Sequence, residues 1–204
     1  MKLGRVQHVA KAGMMVLCLL LAVSAEAAEC TYASKVTTGN RQPELTAQGT
    51  CGEFVGQDEF RISPEHLSKL LFRDGLAVVL VDDKAFYVAR SGKAARVHVF
   101  ENGADYFSEG LARTISQGKF GYIDRKLTIV IKPEYDFSFP FRNGKAIVCT
   151  GCVTVAEGEH RAVKGGTWGM IDTAGAIVIP IRYTKEELER MQRQSGEKEY
   201  KRSR

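Results

Sequence analysis

The chain has 204 residues, 44% hydrophobic and 26% charged, with a formal net charge of +5. That length allows one domain with a real core even after a leader is removed. Excess positive charge suggests nucleic acid, but here it gathers at the two ends of the chain. No basic stripe carries interleaved aromatic rings, so nucleic acid is excluded as a partner.

Lys2, Arg5 and Lys11 form a positive start, followed by the ten-residue apolar run "MMVLCLLLAV" over Met14–Val23. A bilayer-spanning helix needs about 20 residues, so this run is too short to span. Ala25 and Ala27 stand at A-x-A spacing, which predicts a secretory signal over 1–27, cut after Ala27. The competing reading is a buried or membrane-anchoring helix. A lipoprotein is set aside because Glu29 precedes Cys30, where a small residue is wanted. The product is expected in the periplasm or outside the cell, with no integral membrane segment after cleavage. Cleavage removes Lys2, Arg5, Lys11 and Glu26, taking the charge from +5 to +3.

Cys18 leaves with the signal, and Cys30, Cys51, Cys149 and Cys152 remain. An even number in an exported chain favours disulfides. Of the three connectivities, 30–51 with 149–152 is the simplest, since each pair is local. A 30–51 bridge would tie the segment 28–61 by closing a polar loop poor in apolar residues. The chain-entropy account values such a closure at roughly 3 kcal/mol.

A short helix is predicted at "ISPEHLSKLLF", with Ser63 as N-cap, Pro64 in its first position and Glu65 in its first turn. Leu67, Leu70 and Leu71 would form its apolar stripe and cap the first of three similar units. His66 reads as a solvent-facing residue.

Those units fill 62–184. They open on "FRDG" from Phe72, "FSEG" from Phe107 and "FRNG" from Phe141. Phe72 to Phe107 and Tyr87 to Tyr122 are both 35 residues, whereas Phe107 to Phe141 is 34 and Tyr122 to Met170 is 48. A fixed period of this size signals a repeat, and the third copy carries 14 extra residues between Ile147 and Lys164. Short β-branched and aromatic runs between turn formers predict a three-stranded antiparallel meander per unit. The fold class is therefore mainly β: about three tandem meanders, one capping helix and a charged, partly helical tail over 185–204. Within the units, "KFGYID" and "TWGMID" place Phe120, Gly121 and Asp124 opposite Trp168, Gly169 and Asp172. The ring and glycine are expected to seat one unit on the next, and the alternative is an aromatic surface that stacks on sugar or peptide. Each Asp is expected to close its strand by bonding nearby backbone. Asp82, Asp83, Asp105 and Glu109 read as solvated turn residues.

Cys149-Thr-Gly-Cys152 is the one constellation with chemical potential. A redox motif opens a helix that lowers a thiol pKa, but both flanks here are extended. Zinc wants about four ligands, and only His160 is near. The simplest reading is a disulfide across a tight turn at a hairpin tip, with redox and metal roles left open. "EGEH" over 157–160 offers two carboxylates and an imidazole on a loop, and a hydrolase built on it has proximity alone in its favour. The tail from Lys185 onward is expected to begin as a helix and fray into a disordered end.

"GKFGYIDRKLTIVIKPEYD" and "GTWGMIDTAGAIVIPIRY" resemble the WG-repeat family of bacterial proteins, over roughly Phe72 to Tyr183. Gly118–Asp136 and Gly166–Thr184 share eight of 19 positions without gaps. "FRNGKAIVCTGC" resembles an exported subgroup with a cysteine-bearing insertion. The first unit departs from the pattern at Ala85-Phe86, and the second has Leu127 where the turn glycine belongs. The resemblance implies a β-rich repeat fold, no catalytic residues and no settled activity, and neither a cofactor nor a metal is assigned. The reading is a non-enzymatic binding or structural module whose partner is a protein or a cell-envelope polymer. A thiol-redox or metal-binding protein using the CxxC insertion is the alternative.

Overall fold

The computed structural model describes residues 26–35, 44–100, 102–158 and 160–202. The predicted signal therefore lies outside the described residues except for Glu26 and Ala27. These two residues open the first strand, β1 (Glu26–Tyr32). Next come β2 (Thr46–Phe54), β3 (Phe60–Ile62), the helix α1 (Pro64–Lys69), and then β4 (Leu76–Val81), β5 (Lys84–Ala89) and β6 (Ala94–Val97). All six strands form one antiparallel sheet in the order β3-β2-β1-β4-β5-β6. The N-terminal segment thus shares a sheet with the first unit, through Cys30↔Val81 and Tyr32↔Val79. Cys30 and Cys51 are bonded across β1 and β2. They sit in a core with Tyr32, Phe54, Phe60 and Phe86. The Ser63 side chain caps α1 by accepting from the His66 N–H, and Leu70 at the helix end is fully buried.

The small hairpin β7 (Val99–Phe100) and β8 (Gly103–Ala104) leads into the second unit, β9 (Leu111–Ser116), β10 (Lys119–Asp124) and β11 (Ile129–Tyr135). A short β12 (Phe137–Ser138) precedes the third, β13 (Lys145–Glu157), β14 (His160–Asp172) and β15 (Ile177–Tyr183). Each unit is the expected antiparallel meander. Every unit opens on a two-residue hairpin turn. Asp74-Gly75, Glu109-Gly110 and Asn143-Gly144 all have positive φ at both positions. That backbone suits the right-handed twist of the flanking strands. The 14 extra residues lengthen a single hairpin: β13 and β14 pair from Lys145↔Asp172 out to Glu157↔His160.

The tail begins as a helix, as expected, but does not fray over its described length. It forms α2 (Lys185–Arg202), a helix continuous to its last described residue. The Glu187 N–H donates to Thr184 Oγ1, and Glu187 Oε2 accepts from the Thr184 N–H. This reciprocal cap satisfies two donors at the helix start. Leu188, 1% exposed, docks the helix on the third unit beside Trp168 and Met170.

Candidate functional site

The repeated phrase turns out to be architecture. A Cβ on Gly169 would lie 2.5 Å from the Ile179 carbonyl oxygen and 2.8 Å from Ile181 N. Gly121 faces Ile131 and Pro133 of β11 in the same way. At both glycines the third strand slips register: Phe120↔Tyr135 is followed by Tyr122↔Ile131, and Trp168↔Tyr183 by Met170↔Ile179. The first unit supplies the contrast. Phe86 stands at the glycine position, and β5 pairs with β6 in unbroken register. The glycine therefore seats a bulged strand of its own unit, not the neighbouring unit as expected. Asp124 Oδ1 accepts from the N–H groups of Lys126 and Thr128, and Asp172 Oδ1 from those of Ala174 and Ala176.

The rings of the phrase are buried and reach beyond their own unit. Phe120 packs between His98, at 5.1 Å between centroids, and Phe137, at 5.3 Å. Trp168 packs against Phe137 and Phe139 and under α2. Its indole N–H donates to the Gly165 carbonyl.

Hydroxyls join the units. Tyr87 donates to the Asp105 carbonyl at 2.8 Å, and Tyr122, one unit on, donates to the Phe139 carbonyl at 2.7 Å. At the corresponding place in the last unit stands Met170, whose sulfur meets Gln192 of α2. Asp105 is not the solvated turn residue expected. It is fully buried, and its carboxylate accepts from Arg113 Nε at 2.9 Å, Nη2 at 2.7 Å and the backbone N–H at 3.0 Å. Arg113 Nη1 then donates to the Ser138 carbonyl. Burial, reinforced by the Arg113 charge, pushes the nearby His98 imidazole down to about 4. Glu109 is exposed but accepts from the Gly144 N–H in the opening turn of the third unit. His66 is half-buried, with Nδ1 2.7 Å from the Tyr32 hydroxyl, instead of facing solvent. Asp82 does occupy the β4–β5 turn.

A cleft of about 520 Å³ opens where the first and second units meet. Tyr106, Phe107, Leu45 and Leu71 are among its lining residues, and Arg73 and Arg125 supply its cations, with Asp74 also in the lining. The Arg125 guanidinium lies over the Phe107 ring at 4.7 Å, which holds the cation in place without cancelling its charge. Among the described residues neither Arg73 nor Arg125 has an ion pair. Tyr106 is 43% exposed. The sequence reading missed this site, because Arg73 and Arg125 stand in turns and nothing local says that two turns 52 positions apart share a cleft.

The CTGC segment lies within β13, not at a hairpin tip. Cys149 and Cys152 are bonded to each other, and their ladder partners on β14 are Trp168 and Gly165. Asp136 braces this stretch of β13, accepting from the Gly151 N–H at 2.7 Å, while its own N–H donates to the Cys149 carbonyl. The Lys119 ammonium and then the Gly151 N–H hold the Asp136 carboxyl below its usual range. Glu157 pairs with Lys164 across the distal hairpin. The rest of the "EGEH" cluster, Glu159 and the His160 side chain, lies outside the described residues. Among the described residues no three His, Cys, Asp or Glu side chains gather to hold a metal.

Bulged glycine, buried ring and aspartate-clamped turn recur together in the second and third units. Residues 120–151 and 168–185 match the WG containing repeat family. The break between the two matched stretches falls on the distal part of the β13–β14 hairpin, so the WG repeat itself does not require it. The first unit, which lacks the glycine, is outside the match. No curated protein and no solved structure matches the chain.

Proposed function

We propose that this WG-repeat-containing chain is an exported, non-enzymatic binding module of the subgroup with a cysteine-bearing insertion. Its ligand is an anionic partner, either an acidic protein segment or a charged cell-envelope polymer. The carrying observation is the pair Arg73 and Arg125, two guanidiniums without carboxylate partners among the described residues, at a cleft walled by Tyr106 and Phe107. Planar cations beside aromatic rings recognise carboxylates and phosphates by paired hydrogen bonds. The repeat residues favour a scaffold role, since glycine, ring and aspartate are all spent on turns, bulges and packing. The export reading rests on the leader over 1–27 and on the four remaining cysteines. Capture from envelope extracts with the mature protein tests it, with Arg73→Ala plus Arg125→Ala as the control. Salt-sensitive capture that the double variant loses at least tenfold supports the proposal. Equal capture by both proteins overturns it. N-terminal sequencing of the secreted product should begin at Ala28.

A further inference from the structure

The two disulfides differ in what surrounds them. Cys30–Cys51 joins two strands and is enclosed by a large aromatic core. Cys149–Cys152 lies along one strand with a separation of three, so the pairing of β13 with β14 does not depend on it: the ladder continues from Thr150↔Thr167 to Cys152↔Gly165 on either side of Gly151. On its outer side the bridge is flanked by Gly151, Gly165 and Gly166, all exposed. Gly166 is pressed so close that a Cβ there would lie 2.8 Å from Cys149 Sγ and 2.7 Å from the Thr150 carbonyl oxygen. Glycine backbone therefore walls the bridge where side chains would otherwise cover it. On its inner side the bridge packs in one cluster with Trp168, Met170 and Leu188 of α2.

From this placement we infer that Cys149–Cys152 is a thiol-exchange site for a dithiol reductant, and that its oxidation state sets how firmly α2 docks on Trp168. A thiolate of the reductant attacks Sγ of Cys152, the less buried residue of the pair, at 6% exposed against 0% for Cys149. The Cys149–Cys152 bond breaks, and Cys149 leaves with the electron pair and takes up a proton. The second reductant thiolate attacks its own sulfur in the mixed disulfide and forms the reductant's disulfide. Cys152 is released as a thiolate and protonated. Two electrons pass from the dithiol to the protein. Two thiols no longer held at bonding distance need more room, and the neighbours on the inner side are Trp168 and Leu188.

Trp168 is the single tryptophan of the chain, so its fluorescence reports this site alone. The purified protein is titrated with dithiothreitol, each cysteine is scored by alkylation and peptide mass, and amide exchange is followed. Expected is alkylation of Cys149 and Cys152 at a reductant concentration at least tenfold lower than for Cys30 and Cys51. Trp168 emission should rise in step, and α2 amides should exchange at least tenfold faster while the sheets stay protected. Joint reduction of both pairs overturns the inference, as does global loss of protection, or selective reduction that leaves Trp168 and α2 unchanged. The Cys149→Ser, Cys152→Ser variant gives a second reading without reductant. It should fold with α2 already in fast exchange, and an α2 as protected as in the oxidised protein counts against the proposal.

Discussion

Gly169 on β14 and Ile179 on β15 approach so closely that a Cβ on the glycine would stand 2.5 Å from the isoleucine carbonyl oxygen. The obstacle is backbone, so it cannot swing aside. Gly169→Ala and Gly121→Ala should each cost about 3 kcal/mol in urea unfolding, the upper range for overpacking. The bulge explanation fails if either alanine variant unfolds at the wild-type midpoint.

The Asp105–Arg113 pair is taken out of water on both sides, with 1% and 3% of the side chains exposed. Removing one partner strands the other. Asp105→Asn should lose about 3–5 kcal/mol. Replacing both residues with apolar ones of similar volume should lose less, and a chemical denaturation series over the single and double variants measures the difference.

His98 carries a pH dependence whose sign follows from burial. Its folded value of about 4 lies below the ordinary 6.5, so the unfolded chain binds the proton more readily. Stability is complete above about pH 6.5, falls as pH drops toward about 4 and levels off below that, for a total of about 3 kcal/mol. Arg113 and Arg161 oppose protonation and Asp105 favours it. Asp58 titrates later. Burial alone would raise its carboxyl, but bonds from the Gln117 N–H and Arg96 outweigh this and hold it low, so its loss comes below the His98 window. His98→Phe should flatten the melting temperature between pH 6.5 and 4.5. An unchanged slope would assign it to another group.

Leu127 occupies the left-handed turn position, at φ 57°, that Gly175 holds in the third unit. It is also 3% exposed and belongs to the core between the first two units. Leu127→Gly relieves about 1–2 kcal/mol of backbone strain but removes a buried leucine, and even leucine-to-alanine changes cost about 2–5 kcal/mol. Burial should win, with a net loss of about 2 kcal/mol by thermal denaturation.

What the sequence determined by itself was local. The mainly β class, the meander units, the turns that open them and the Ser63 cap follow from turn chemistry and strand periodicity, which act over a few residues. The α2 cap was legible too, since "TKEE" has the spacing of a capping box. The tertiary structure decided what lies between units. Asp105 looked like a solvated turn residue until Arg113 was folded over it, and His66 looked solvated until Tyr32 reached it. The CTGC segment looked like the tip of a hairpin until the third copy's extra residues proved to be ladder. Arg73 and Arg125 became neighbours across a cleft only when two turns met. In each case the deciding contact joins different strands or units, and a turn signal reports φ and ψ at its own residues but not which side chain arrives from elsewhere.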